Sequence, residues 1–259
     1  MWGAIIGDVV GSRYEWDPIK TKTFEFFHPL CKYTDDSVCT AAVADILLND
    51  TSPVAVLQQW CQRHPGRGYG GWFSGWLHAD NPSPYNSFGN GAAMRASPAA
   101  YLNRNRSLEE ALGAADRVTA VTHDHPEGVK GARAAVHSVW LAFQGEGVDR
   151  IRRAIEQTYE YDLSRTVDEI RPDYRFNETC QGTVPQAIVS ALESVNFEDA
   201  VRNAISLGGD ADTLAAIAGP IAEALYGIPE DMLATARGRF LEDAPDIVDA
   251  MDRMYGASI

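Results

Sequence analysis

Two stretches of this chain place carboxylates and a hydroxyl where an apolar helix should begin. One is YTDDSVCTAAVADILL, residues 33–48, which holds Thr34, Asp35 and Asp36. The other is SLGGDADTLAAIAG, residues 206–219, which holds Asp210, Asp212 and Thr213. Either set can serve as a helix cap, because Asp and Thr side chains accept from the first free N–H groups and acidic residues suit the helix dipole. A cap uses one acceptor, however, and each stretch offers two carboxylates plus a hydroxyl. Capping thus accounts for one aspartate of the second stretch and leaves the other to be explained. Neither stretch contains an arginine to neutralise its acids. If the two helix starts converge, four aspartates repel one another unless divalent cations lie between them. An all-oxygen donor set selects hard ions, Mg²⁺, Mn²⁺ or Ca²⁺, over zinc. A carboxylate-bridged pair of ions matches the ligand count.

Other segments add chemistry of lower specificity. GAIIGDVVGSRYE, residues 3–15, spaces Gly3, Gly7 and Gly11 four apart, a stripe that lets a helix pack close to a neighbour. Glu15 follows in a turn-like stretch, as a solvated surface glutamate or as an acid reaching a water or a sugar hydroxyl. NSFGNGAAMRASP, residues 86–98, sets Gly89, Asn90 and Gly91 before a helical run. Glycines in such a position let backbone N–H groups approach a phosphate or ribose; a Gly-Asn-Gly turn is also an ordinary connection. In VTHDHPEGVKGA, residues 121–132, His123 and His125 form an HxH pair. No third nitrogen or sulfur ligand is spaced to complete a zinc site, so a histidine bonding a ligand phosphate, or a plain loop histidine, is the better reading.

The elements that must hold these residues read as helices. In 107–121, Leu108, Ala111, Leu112, Ala115 and Val118 make one apolar face, and Ser107 with Glu110 makes a capping box. Residues 197–206 follow the same rule. Residues 211–226 are apolar nearly all round, the mark of a buried central helix. Further helices are expected at 35–49, 53–63, 91–102, 128–144, 149–160, 183–194 and 230–254, with no sustained strand pattern. Residues 65–90, rich in Gly, Pro and aromatics, read as a long loop of functional character. No low-complexity linker or repeat divides the chain, so the expectation is one compact all-α domain over residues 1–259.

Composition narrows the partners. A formal net charge of −14 argues against broad attraction to nucleic acid or an anionic membrane. An anionic ligand then needs local help from helix N-termini, arginine or a bound cation. The N-terminal stretch lacks a basic start and meets Asp8 too early for a signal peptide, and no apolar run reaches the roughly 20 residues of a membrane span. The cysteines, Cys31, Cys39, Cys61 and Cys180, show no CxxC pairing, which points to reduced thiols and a cytoplasmic location.

Taken together, GAIIGDVVGSRYE, YTDDS, GNGAAMR, THDHP and SLGGDADTLAAIAG resemble the ADP-ribosylglycohydrolase family, in the family's order and across residues 3–219. The resemblance implies an all-helical fold with a binuclear magnesium or manganese centre. By position, Thr34, Asp35 and Asp36 would supply ligands from one side, and Asp210, Asp212 and Thr213 from the other. Glu15 resembles the family's mobile acid beside the metals; Asp36 or Glu15 would take the proton of the attacking water. Gly89, Asn90 and Gly91 resemble the loop that holds ADP-ribose, and His123 its ligand-contacting histidine. Ser37 stands where the family often has Thr, with the hydroxyl kept. The implied activity is hydrolysis of the bond between ADP-ribose and a protein side chain, arginine first. Another ADP-ribose or nucleotide-sugar conjugate, or ADP-ribose binding without catalysis, are the alternatives. Adenine would stack on one of Tyr69, Trp72, Phe73, Trp76, Tyr85 and Phe88.

Overall fold

The centre of the molecule is a pair of helices whose backbones touch. In the computed structural model, which describes residues 1–257, helix α1 (Trp2–Gly11) lies along α13 (Ala211–Tyr226). A Cβ on Gly7 would lie 2.2 Å from the carbonyl oxygen of Ala215, and one on Gly3 2.4 Å from that of Gly219. A Cβ on Gly11 would lie 2.5 Å from the carbonyl oxygen of Ala211. The glycine stripe is therefore a contact face, as its spacing predicts. It also fixes Asp8, on α1, beside the start of α13. The first twelve residues of α13, Ala211–Ala222, are buried, so this is the central helix expected from its all-round apolarity.

The remaining elements wrap this pair. They are α2 (Asp35–Asn49), α3 (Pro53–Arg63), α4 (Gly71–Leu77), α5 (Gly91–Met94), α6 (Ser97–Leu102), α7 (Leu108–Thr119) and α8 (Pro126–Phe143). After them come α9 (Val148–Tyr159), α10 (Val167–Ile170), α11 (Cys180–Leu192), α12 (Phe197–Ser206), α14 (Glu230–Thr235) and α15 (Pro245–Gly256). Among the described residues there is no strand, only an isolated bridge between Gly89 and Thr179. The fold is all-α. No described helix is long and apolar enough to cross a membrane, and the four cysteines are free and buried.

Most expected helices are present, including the Ser107–Glu110 capping box of α7. Three differ. Residues 91–102 break into α5 and α6 at Arg95–Ala96, one turn before Pro98, whose ring and missing N–H cannot continue a helix from the preceding turn. Residues 230–254 break twice, through a π-turn at Ala236–Phe240 and again before Pro245, which opens α15 at its first position. The 65–90 loop carries one short helix, α4, with Phe73, Trp76 and Leu77 turned into the core.

Candidate metal centre and cleft

The two acidic helix starts meet. Asp35, Asp36, Asp210, Asp212 and Thr213 line one cleft of about 270 Å³, together with Glu15. Gly89, Asn90, Gly91 and His123 line the same cleft. Of the six residues expected to hold the metals, Thr34 alone stands behind the wall, at the N-cap of α2. Its hydroxyl accepts from Asp36 N–H (3.3 Å) and donates to Asp8 Oδ1 (2.7 Å), leaving one lone pair uncommitted.

The carboxylates form two interlocking groups. Oxygens of Asp8, Asp36 and Asp212 lie within 4.8 Å of one another, and so do oxygens of Glu15, Asp210 and Asp212. Asp212 belongs to both. Its Oδ1 accepts from its neighbour's N–H, that of Thr213 (2.9 Å), rather than capping the next turn. Asp210 makes no cap bond either: Oδ2 accepts from Asn90 Nδ2 at 2.7 Å instead. The cap expected from one of these aspartates is thus absent, because both side chains turn toward the cleft. Asp36 Oδ1 is buried and has no hydrogen-bond partner.

The electrostatics follow from burial and crowding. Asp35, Asp36 and Asp212 are pushed well above the usual carboxylate range, first by desolvation and then by neighbouring carboxylates. Desolvation, with Asp212 beside it, raises Glu15 to about 8. Desolvation also raises Asp210 to about 6, opposed by hydrogen bonds from Asp212 and Asn90. A buried acid cluster with an orphaned carboxylate oxygen and, among the described residues, no salt bridge to its acids fits hard divalent cations, and the shared Asp212 fits two of them.

The cradle behind these acids contains residues that sequence reasoning missed. Asp8 is fully buried and accepts from Thr34 N–H (2.9 Å), Thr34 Oγ1, Ser37 N–H (3.1 Å) and Ser37 Oγ. The one signal was an ionisable residue inside an otherwise apolar helix. Lys20 donates from Nζ to the carbonyls of Arg171 (2.8 Å), Tyr174 (2.6 Å) and Leu207, joining the loop after α1 to the turn before α13. That turn needs its glycines. Gly208 has φ +65° and lies against Lys20, while a Cβ on Gly209 would be 2.3 Å from the Tyr174 ring.

The glycine turn at 89–91 departs from a phosphate cradle in one respect. Asn90 N–H is spent on Glu178 O (2.7 Å) and Gly89 N–H on Ser87 Oγ (3.1 Å). The turn is instead pinned to residues 178–180, also through Cys180 N–H to Phe88 O at 2.8 Å. His125 Nδ1 accepts from Glu127 N–H (3.1 Å) as the cap of α8. Among the aromatics expected to stack on adenine, Trp72, Phe73 and Tyr85 line the cleft, and Trp72 is 83% exposed. Phe176, outside that expectation, lines it too and stacks on the exposed Trp16 with ring centroids 5.3 Å apart.

Comparison with known proteins gives the family and agrees with the all-α fold. The family model for ADP-ribosylglycohydrolase matches residues 1–258. The chain is 30% identical to the ADP-ribosylarginine hydrolase Tri1 of Pseudomonas putida (strain GB-1), over 60% of this chain and 42% of that protein. It is 25% identical to the ADP-ribosylhydrolase ARH3 of Danio rerio, over 98% of this chain and 89% of that one. It is 31% identical to the ADP-ribosyl-(dinitrogen reductase) glycohydrolase of Rhodospirillum rubrum, over 55% and 47%. The matches to Tri1 and to the Rhodospirillum enzyme thus span less than half of those proteins. A solved structure titled ADP-ribosylglycohydrolase-related protein complex shares the fold, with a TM-score of 0.71 and 23% identity over 98% of this chain and 95% of that one.

Proposed function

Since the chain belongs to the ADP-ribosylglycohydrolase family, we propose that it hydrolyses the glycosidic bond between ADP-ribose and an acceptor, with arginine of a protein as the first choice. The observation that carries this reading is the sharing of Asp212 between two carboxylate groups at the floor of a cleft walled by glycines and aromatics. The name of the Pseudomonas putida relative supports arginine. A small-molecule ADP-ribose conjugate is the competing substrate.

Thr34, Asp35, Asp36, Asp210, Asp212 and Thr213 are the residues that would hold two Mg²⁺ or Mn²⁺ ions. Such ions supply charge neutralisation and Lewis acidity toward ribose hydroxyls and water. The protein does the rest. Asp8 Oδ1 accepts the hydrogen bond of the Thr34 hydroxyl and so fixes its rotation, leaving a lone pair of that oxygen free to act as a ligand. Asn90 holds Asp210 by a single donated bond. Asp36 or Glu15 would take the proton of the attacking water, and Glu15, raised to about 8, lies near the neutrality that suits such a transfer. As the glycosidic bond lengthens, positive charge builds on the ribose, and the surrounding carboxylates stabilise it. His123, in the opposite wall, contacts the ADP-ribose.

A panel of ADP-ribosylated arginine, serine, glutamate and nucleic-acid ends, assayed for released ADP-ribose with Mg²⁺ present, tests the proposal. Release from the arginine conjugate is expected. No release from any member, with ADP-ribose itself still bound, would replace hydrolysis with a binding role.

A further inference from the structure

His123 and Arg95 stand together in the cleft wall, and among the described residues Arg95 has no acidic partner. Arg95 is 1% exposed, lines the cleft, and leaves its buried Nε without a partner. One of its terminal nitrogens donates to Thr122 Oγ1 at 2.6 Å. The same Thr122 oxygen lies 2.7 Å from His123 Nδ1. Thr122 is fully buried, so no solvent enters this chain of groups.

Proton counting decides the direction of each bond. A guanidinium can only donate, so Thr122 Oγ1 is the acceptor from Arg95. Thr122 then has one proton to give, either to His123 Nδ1 at 2.7 Å or to the Thr119 carbonyl at 3.2 Å. The Thr119 carbonyl already accepts from His123 N–H at 2.9 Å and from Thr122 N–H at 3.2 Å. Its two lone pairs are taken. The hydroxyl proton therefore goes to Nδ1, and the donation from Arg95 makes that hydroxyl a stronger donor. Burial, and then the Arg95 charge, hold His123 well below the usual imidazole range, so the ring is neutral. A neutral ring that accepts at Nδ1 carries its proton on Nε2.

That proton faces the glycine turn. A Cβ at Gly91 would lie 3.3 Å from Nε2 and crowd the nitrogen, and one at Gly89 would lie in contact with it at 3.5 Å. Among the described residues Nε2 has no hydrogen-bond partner. We propose that Arg95 and Thr122 are positioning residues that lock His123 as the Nε2–H tautomer, making it a fixed donor to an oxygen acceptor of the bound ligand. The identity of that ligand as an ADP-ribose rests on the function proposed above; the tautomer does not. With the N–H groups of Gly89 and Asn90 already spent, the His123 ring adds a side-chain donor to this wall.

Long-range ¹H–¹⁵N NMR of the histidine rings, on the whole chain without ligand, reads the tautomer directly. The expected spectrum shows His123 neutral at pH 7 with the proton on Nε2, in wild type and in Thr122→Ser. Thr122→Val removes the proton given to Nδ1, so His123 loses its single-tautomer signature. The ADP-ribose Kd, measured by calorimetry, rises by about tenfold in Thr122→Val and is restored in Thr122→Ser. A wild-type ring protonated on Nδ1, or a Thr122→Val spectrum identical to wild type, would overturn the proposal. The wild-type spectrum decides even if Thr122→Val fails to fold. Absence of ADP-ribose binding to the wild-type protein would instead strike the proposed function and leave the tautomer result standing.

Discussion

Asp8 Oδ1 accepts the hydroxyl proton of Thr34 at 2.7 Å, joining the middle of one buried helix to the cap of another. Asp8 comes from α1, whose glycines press it against α13; Thr34 opens α2. One carboxylate thus ties both acidic helix starts into one frame. It does so from behind, where it touches the cluster without lining the cleft.

Asp8→Asn keeps the shape but removes the carboxylate charge and turns one accepting oxygen into an amide NH₂, facing two backbone N–H groups and two hydroxyls that now donate to Asp8. Mg²⁺ affinity is expected to fall by about 10- to 100-fold, as is usual when a partner that orients a metal ligand is lost. Calorimetric titration with Mg²⁺ checks this, and an unchanged Kd would remove Asp8 from the frame.

Gly7→Ala tests the helix contact that carries Asp8. A Cβ there would lie 2.2 Å from the Ala215 carbonyl oxygen, so the helices must part. The expected cost is about 1–3 kcal/mol by urea denaturation, typical of overpacking. Activity at saturating Mg²⁺ should fall as well, because α1 and α13 each carry an acid of the cluster. A neutral effect on stability would mean that the two backbones do not touch.

The buried acids give the metal-free protein an unusual pH profile. A carboxyl raised in the folded state contributes stability below its unfolded pKa and loses it as pH climbs through the folded value. Asp210 is raised to about 6 and Glu15 to about 8, and Asp35, Asp36 and Asp212 are raised as well. With EDTA present, Tm is therefore expected to fall from about pH 4 to pH 8. The rise in Tm on adding Mg²⁺ should grow over the same window, since the ions replace protons. Scanning calorimetry at stepped pH measures both. A rise in Tm on adding Mg²⁺ that does not change with pH would contradict the cluster's protonation.

Asn90→Asp sets a new carboxylate against Asp210 where an amide now donates at 2.7 Å. Turnover is expected to drop by more than about tenfold, from loss of a charge-assisted hydrogen bond and added repulsion. Asn90→Ala should fall between the two. Kinetics on the ADP-ribosylated arginine substrate would show it, and wild-type turnover in Asn90→Asp would exclude Asn90 from holding Asp210.

Much of this site is written locally. Thr34, Asp35, Asp36, Asp210 and Asp212 stand out because acids beside an apolar run are costly to bury, and the glycine stripe of α1 announces a close contact through spacing alone. What was not legible depends on partners distant in the chain. Asp8 looks like one polar residue on an apolar helix until Thr34 and Ser37 are seen around it. Lys20 looks like a surface lysine, since its acceptors are carbonyls more than 150 residues away. Thr122 gains meaning only when Arg95 reaches it. The break before Pro245 belongs to the sequence itself, since proline cannot continue a helix from the preceding turn.

The claim on which the rest depends is that the two acidic helix starts hold a pair of divalent ions through a shared Asp212. Titration with Mn²⁺, with the bound ions counted by electron paramagnetic resonance, tests it most directly. The account predicts two ions per wild-type chain and loss of tight binding at both positions in Asp212→Asn. No bound ion in wild type, or two tightly bound ions in Asp212→Asn, would contradict it.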